Sequence, residues 1–177
     1  MYTLTQFVLL PLALVALGTI PIMLLWTIVT LVRARRGDIR DALLKSLPEA
    51  IGAMGVVAIL AFALVPNAGV ETTVNLIPVK GLASNLFSSN WGIALVNAVG
   101  NLALFVPIGI AVRWRFNGGL RRAALAGAAL SLTVELLQFV ANDGRSVDVD
   151  DVLLNICGAL LGAAVTGLVA ESASRSS

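Results

Sequence analysis

Side chains able to do chemistry are scarce in this chain, and they crowd between residues 134 and 155, "VELLQFVANDGRSVDVDDVLLN". Glu135 and Gln138 stand three apart, and Asp148, Asp150 and Asp151 fall within four positions. Asn155 follows Asp151 at helical spacing, as Asn101 follows Asn97. Buried paired carboxylates can divide acid and base roles, because burial and a like charge push their pKa values apart. Glu135 with Asp148 or Asp151 is such a candidate catalytic pair. The same carboxylates suit amines, sugar hydroxyls or a bridging divalent cation. The amides of Asn75, Asn101, Gln138 and Asn155 suit sugar or phosphate oxygens, and Arg145 suits a phosphate.

Histidine is absent, which removes His-based triads, imidazole relays and most zinc sites. The single Cys157 lies in an apolar run and reads as a small packing residue. No cofactor or resident metal is expected, with the divalent cation at the carboxylate cluster left as an option.

Something must hold these residues, and the composition says what. Of 177 residues 58% are hydrophobic and only 12% charged, with a mean hydropathy of +0.94. A soluble domain carries about a quarter charged residues, so too few are present here to cover a surface in water. The expected class is an all-α integral membrane bundle of about five helices, forming one domain over residues 1–177. The net charge of +2 carries no basic stripe with interleaved aromatics, so nucleic acid is not an expected partner. "MYTLTQFVLL" has no basic start and leads into a long apolar run, which reads as an uncleaved first span.

The expected spans are about Pro11 to Val32, Pro48 to Val65, Trp91 to Val112, Arg122 to Val140 and Asp151 to Ala170. Each is close to the twenty or so residues that cross about 30 Å of hydrocarbon. Of the twelve basic residues, ten fall in alternate connections and the tail: Arg33, Arg35, Arg36, Arg40 and Lys45, then Arg113, Arg115, Arg121 and Arg122, then Arg175. Only Lys80 and Arg145 lie in the other two loops. The positive-inside rule then predicts an outside N-terminus and a cytoplasmic C-terminus. Gly158 and Gly162, and Gly127 with Ser131, read as small-residue contacts between helices.

With that topology the polar residues gather in the outer halves of spans 3 to 5. A carboxylate at mid-helix costs about 2.5 to 3.5 kcal/mol on insertion scales, so it faces a partner or a water-filled cavity. The prediction is an outward-facing polar cavity in which Glu135, Gln138, Asn101 and Asn155 form one cluster, Arg145 and Asp148 form the rim, and Asn75 to Pro78 fold over the top. Simpler roles are also open. Asp148 fits an N-cap of span 5, Asp150 and Asp151 fit the helix dipole, and Asn101 and Asn155 fit interhelical hydrogen bonds.

"NLIP", "GNLALFVPIG", "ELLQF" and "GRSVDVDDVLLNICGALLG" together, over about residues 70 to 165, resemble the VanZ-like family of small bacterial membrane proteins. The family's recurrent polar positions fall here on Asn75, Pro78, Asn101, Pro107, Glu135, Gln138, Arg145, Asp148, Asp151 and Asn155. The resemblance implies a multi-pass protein of the bacterial cytoplasmic membrane. The family's namesake is associated with resistance to teicoplanin, a glycopeptide with a lipid tail. The leading expectation is a site for an outer-leaflet lipid headgroup or a lipid-linked cell-wall intermediate, with a lipid-tailed glycopeptide as a ligand by resemblance. Carboxylate-dependent catalysis on an envelope substrate, proton- or ion-coupled transport, and a purely structural or partner-binding role are the alternatives.

Overall fold

A computed structural model of the chain describes residues 9–63, 74–87, 89, 91–141 and 147–175. Five long helices carry the fold: α1 (Leu10–Ala34), α2 (Ile39–Ala63), α4 (Trp91–Phe116), α5 (Leu120–Ala141) and α6 (Val149–Arg175). All five are long and apolar enough to cross a membrane. A short helix, α3 (Lys80–Leu86), and two two-residue strands, β1 (Val74–Asn75) and β2 (Val147–Asp148), lie at one end. The expected all-α bundle is therefore present, with α4 and α6 running on past the expected Val112 and Ala170 to Phe116 and Arg175.

The largest difference from the expected spans is at α2. It begins at Ile39 and carries Pro48 within it, so Arg40 and Lys45 sit on a helix and not in a loop. A membrane helix absorbs an internal proline because neighbouring helices and Ser or Thr hydroxyls satisfy the freed backbone groups. Two residues before the proline, Ser46 Oγ donates to the carbonyl of Ala42 at 2.8 Å and shares a buried 2.6 Å hydrogen bond with Thr30 Oγ1, which ties this part of α2 to α1.

Long helices that follow one another in the chain run in alternate directions. Gly18 of α1 packs on Val57 of α2, while Arg33, further along α1, pairs with Glu49, earlier on α2. Gly55 of α2 meets Pro107 and Ile108 of α4, and Gly52 meets Ala111. α4 and α6 are parallel: Gly158 lies against the carbonyl of Leu102, Gly162 against that of Val106, and Gly167 beside Arg113. A Cβ on Gly158 or Gly162 would fall 2.1 Å from those oxygens, so the GxxxG step lets two backbones touch. The core is Ile59, Ala63, Phe105, Ile108 and Val134, where α2, α4 and α5 meet. Long aliphatic side chains such as Leu17, Leu24, Leu125, Leu136, Leu161 and Leu168 face outward, as a surface solvated by lipid requires.

The bundle thus has two unlike ends. At the arginine end lie Arg33, Glu49, Arg113 and Arg115. At the aspartate end lie Asn75, Asp148, Asp150 and Asp151, with the last turns of α2 and α5.

Candidate functional site

The aspartate end is tied together by carboxylates. β1 and β2 pair in parallel, Val74 with Val147 and Asn75 with Asp148. Asp148 immediately precedes α6, and its Oδ1 accepts from the backbone N–H of Asp150 at 2.9 Å and from Asn75 Nδ2 at 3.0 Å. That is N-capping, so the expected capping role is realised and extended to a second segment. Asp150 is buried and accepts the N–H of Val79 on Oδ1. Val79 has φ 66, a left-handed conformation that costs a β-branched residue about 1–3 kcal/mol. Asp150 helps hold the chain in it. Asn75 Oδ1 accepts from the N–H of Ile77 at 3.3 Å. Gly81 closes the knot: a Cβ there would fall 2.5 Å from Asp148 Oδ2 and 2.8 Å from Asn75 Nδ2.

The segment from Asn75 to Pro78 is thereby pinned to α6. Its apolar side chains are not covered, with Leu76 71% and Ile77 55% exposed. Asn75 is tied to Asp148 at this end, whereas the side chains of Leu76 and Ile77 stay uncovered, which is not the expected burial of "LIP".

Below this knot, inside the bundle, Glu135, Gln138, Asn155 and Ser131 are buried. Gln138 Nε2 donates to the carbonyl of Ala63 at 3.0 Å, satisfying one of the last carbonyls of α2. Asn155 Nδ2 donates to Ser131 Oγ at 2.8 Å. Asn155 Oδ1 is enclosed and accepts no hydrogen bond among the described residues, a deficit of about 1–3 kcal/mol. Asn101 is half-buried. Because Gly158 abuts Leu102, Asn101 stands within about a turn of Asn155. Depth therefore agrees with the expected cluster, but bonding does not: no hydrogen bond joins Asn101 to Gln138 or Asn155, whose partners are Ala63 and Ser131. Asp151 is half-buried in the first turn of α6. Arg145 lies outside the described residues. Among the described residues no three His, Cys, Asp or Glu side chains converge as a metal site would need.

An apolar groove of about 520 Å³ runs beside this region between α1, α2 and α4. Val15, Met54, Phe62, Gly100, Leu104 and Pro107 are among its walls. A Cβ on Gly100 would meet open space, so the missing side chain is what keeps the groove deep there. Two residues of the aspartate end, Ser131 and Gly81, carry no local sequence signal for their roles. Ser131 looked like half of a small-residue packing pair, and only the register of α5 on α6 reveals it as Asn155's partner. Gly81 looked like a loop residue, and nothing local marks it as the floor of a carboxylate knot.

Five membrane-length helices, with buried amides and carboxylates gathered toward one end, define a polytopic membrane protein. The VanZ/LLP1 family model matches residues 50–170, well over half of the chain, from within α2 to near the end of α6. The chain belongs to that family. No curated protein matches it, and no solved structure does.

Proposed function

We propose that this chain is a cell-envelope protein that binds a lipid headgroup or a lipid-linked cell-wall intermediate, drawn from the outer leaflet, at the aspartate end. One observation supports the reading: the apolar groove and the buried polar residues lie toward the same end of the bundle, and two groove walls are chain neighbours of the polar set. Those walls are Phe62 and Gly100, which adjoin Ala63, the acceptor for Gln138, and Asn101. The proposed ligand has two parts, an acyl chain in the groove and a polar group toward Asn101 and the buried Asn155 and Glu135. Within a bilayer the tail gains little from burial, since surrounding lipid is equally apolar. Selectivity then belongs to the amides and carboxylates, and the groove supplies position. Asn155 Oδ1, enclosed without a donor, is the acceptor such a headgroup would answer.

The orientation of this proposal follows the basic residues, with the arginine end in the cytoplasm and the aspartate end outside; the membrane is the bacterial cytoplasmic membrane. A lipid-tailed glycopeptide has the same two-part chemistry, and a contribution to teicoplanin-type resistance is proposed on the family resemblance alone. Catalysis is the weaker reading, because Asp148 and Asp150 already accept backbone N–H groups that hold α6 and α3. Acid–base work would then fall to Glu135, with Asp151 as the remaining carboxylate of the expected pair.

Lipidomics of the purified protein tests the proposal. The expected result is one lipid class enriched over the bulk membrane in wild type and reduced in Asn101→Ala. Equal, unenriched lipid in both proteins would contradict it.

A further inference from the structure

The arginine end carries a second cavity that the function above does not use. It encloses about 540 Å³ and is lined by Arg33, Asp41, Lys45, Pro48, Trp114 and Arg115, from α1, α2 and α4. Glu49 organises it. Its carboxylate takes both terminal nitrogens of Arg33, at 2.9 and 3.0 Å, and Nε of Arg115 at 2.8 Å.

The consequence lies in which donors remain. Arg33 turns the edge with both terminal nitrogens toward Glu49, whereas Arg115 engages it through Nε, and its two terminal nitrogens make no hydrogen bond among the described residues. Lys45 is 72% exposed and only loosely paired with Asp41, at 3.8 Å. A guanidinium fork and an ammonium therefore face one cavity, and that pairing suits phosphate oxygens more than a single carboxylate. Charge agrees: Arg33, Lys45 and Arg115 against Asp41 and Glu49 leave one positive charge, the complement of a monoanionic phosphodiester. Trp114 and Pro48 form its apolar walls, and a tryptophan at the membrane boundary prefers headgroup depth.

The geometry points to a phosphate-binding site at the arginine end, in which Arg115 and Lys45 hold the phosphodiester of an anionic phospholipid and Glu49 is the positioning residue that aims Arg115. The site is separated from the aspartate end by the length of the bundle and stands independently of the lipid proposed there.

The test uses the full chain in nanodiscs of phosphatidylcholine with a minor fraction of phosphatidylglycerol, read by native mass spectrometry of the ejected protein. Phosphatidylglycerol retained about tenfold over its bulk share, a ratio worth about 1.4 kcal/mol, is the expected result. Lys45→Gln should remove most of that enrichment, and Lys80→Gln, which deletes the same charge at the other end, should leave it. Arg115→Lys keeps the charge but loses the fork, and should fall between them. No enrichment in wild type, or equal loss in Lys45→Gln and Lys80→Gln, would overturn the site. Inorganic phosphate added to the phosphatidylcholine-only discs separates the two phosphate sources. Adducts that depend on Lys45 and displace phosphatidylglycerol would make free phosphate the ligand and overturn the lipid assignment.

Discussion

At the scale of single residues, identical side-chain types have diverged into different work. Asp148 and Asp150 are joints, holding Asn75 and Val79 against the start of α6. Glu135 is buried in the bundle, where a helix-gluing role could be filled more cheaply by an amide. Glu135→Leu should therefore keep the fold, read as an unchanged folded yield, since leucine is close in volume and suits an apolar bundle. The same variant should lose lipid enrichment; folded yield and lipidomics on one preparation check both halves. Gly81→Ala should do the opposite kind of damage. Its methyl would push apart Asp148 and Asn75, both pinned by hydrogen bonds, at a cost typical of overpacking, about 1–3 kcal/mol, seen as a lower unfolding midpoint. Sequence reading reached the capping role of Asp148 because the N-cap pattern is local. It missed Glu49 as the hub of Arg33 and Arg115, because that ion-pair network joins helices that are distant in sequence.

At the scale of elements, hydropathy made all five spans legible, because a helix in lipid must be apolar for about twenty residues. Their ends were less so. Pro48 looked like a helix start, but α2 runs through it from Ile39. The short α3 and the two-residue bridge between β1 and β2 have no hydropathy signal, being held by side-chain contacts from α6. The α4–α6 seam gives the sharpest element-level prediction. Gly158→Leu and Gly162→Leu would each drive side chains into α4 carbonyls and should abolish stable folding, read as loss of monodisperse protein in detergent. Gly100→Leu, on the same helix pair but facing open space, should leave the folded yield unchanged.

At the scale of the whole molecule, the bundle is polarised between an arginine end and an aspartate end, and membrane orientation converts that polarity into function. Cysteines placed at Asn142 and Arg175 in a Cys157→Ala background should label from opposite sides of the membrane, with position 142 outside. Labelling of both from one side would contradict the five-span topology, and labelling of position 142 from the cytoplasm would turn the aspartate-end site inward. The grouping of the polar residues at one end was legible because helical spacing and antiparallel turns fix depth along a bundle. Their hydrogen-bond partners were not, because bonding depends on how α5 and α6 are rotated about their axes. The groove was invisible for the same reason, since Val15, Met54 and Gly100 come from three helices. It also offers the most direct measurement. Wild type and Gly100→Leu, reconstituted side by side in native lipid extract, should differ in native mass spectra: wild type with a retained lipid, Gly100→Leu equally folded but without it, because leucine fills the groove. The same lipid retained by both, at equal occupancy, would mean that the groove holds no tail and that the aspartate end is not its binding site.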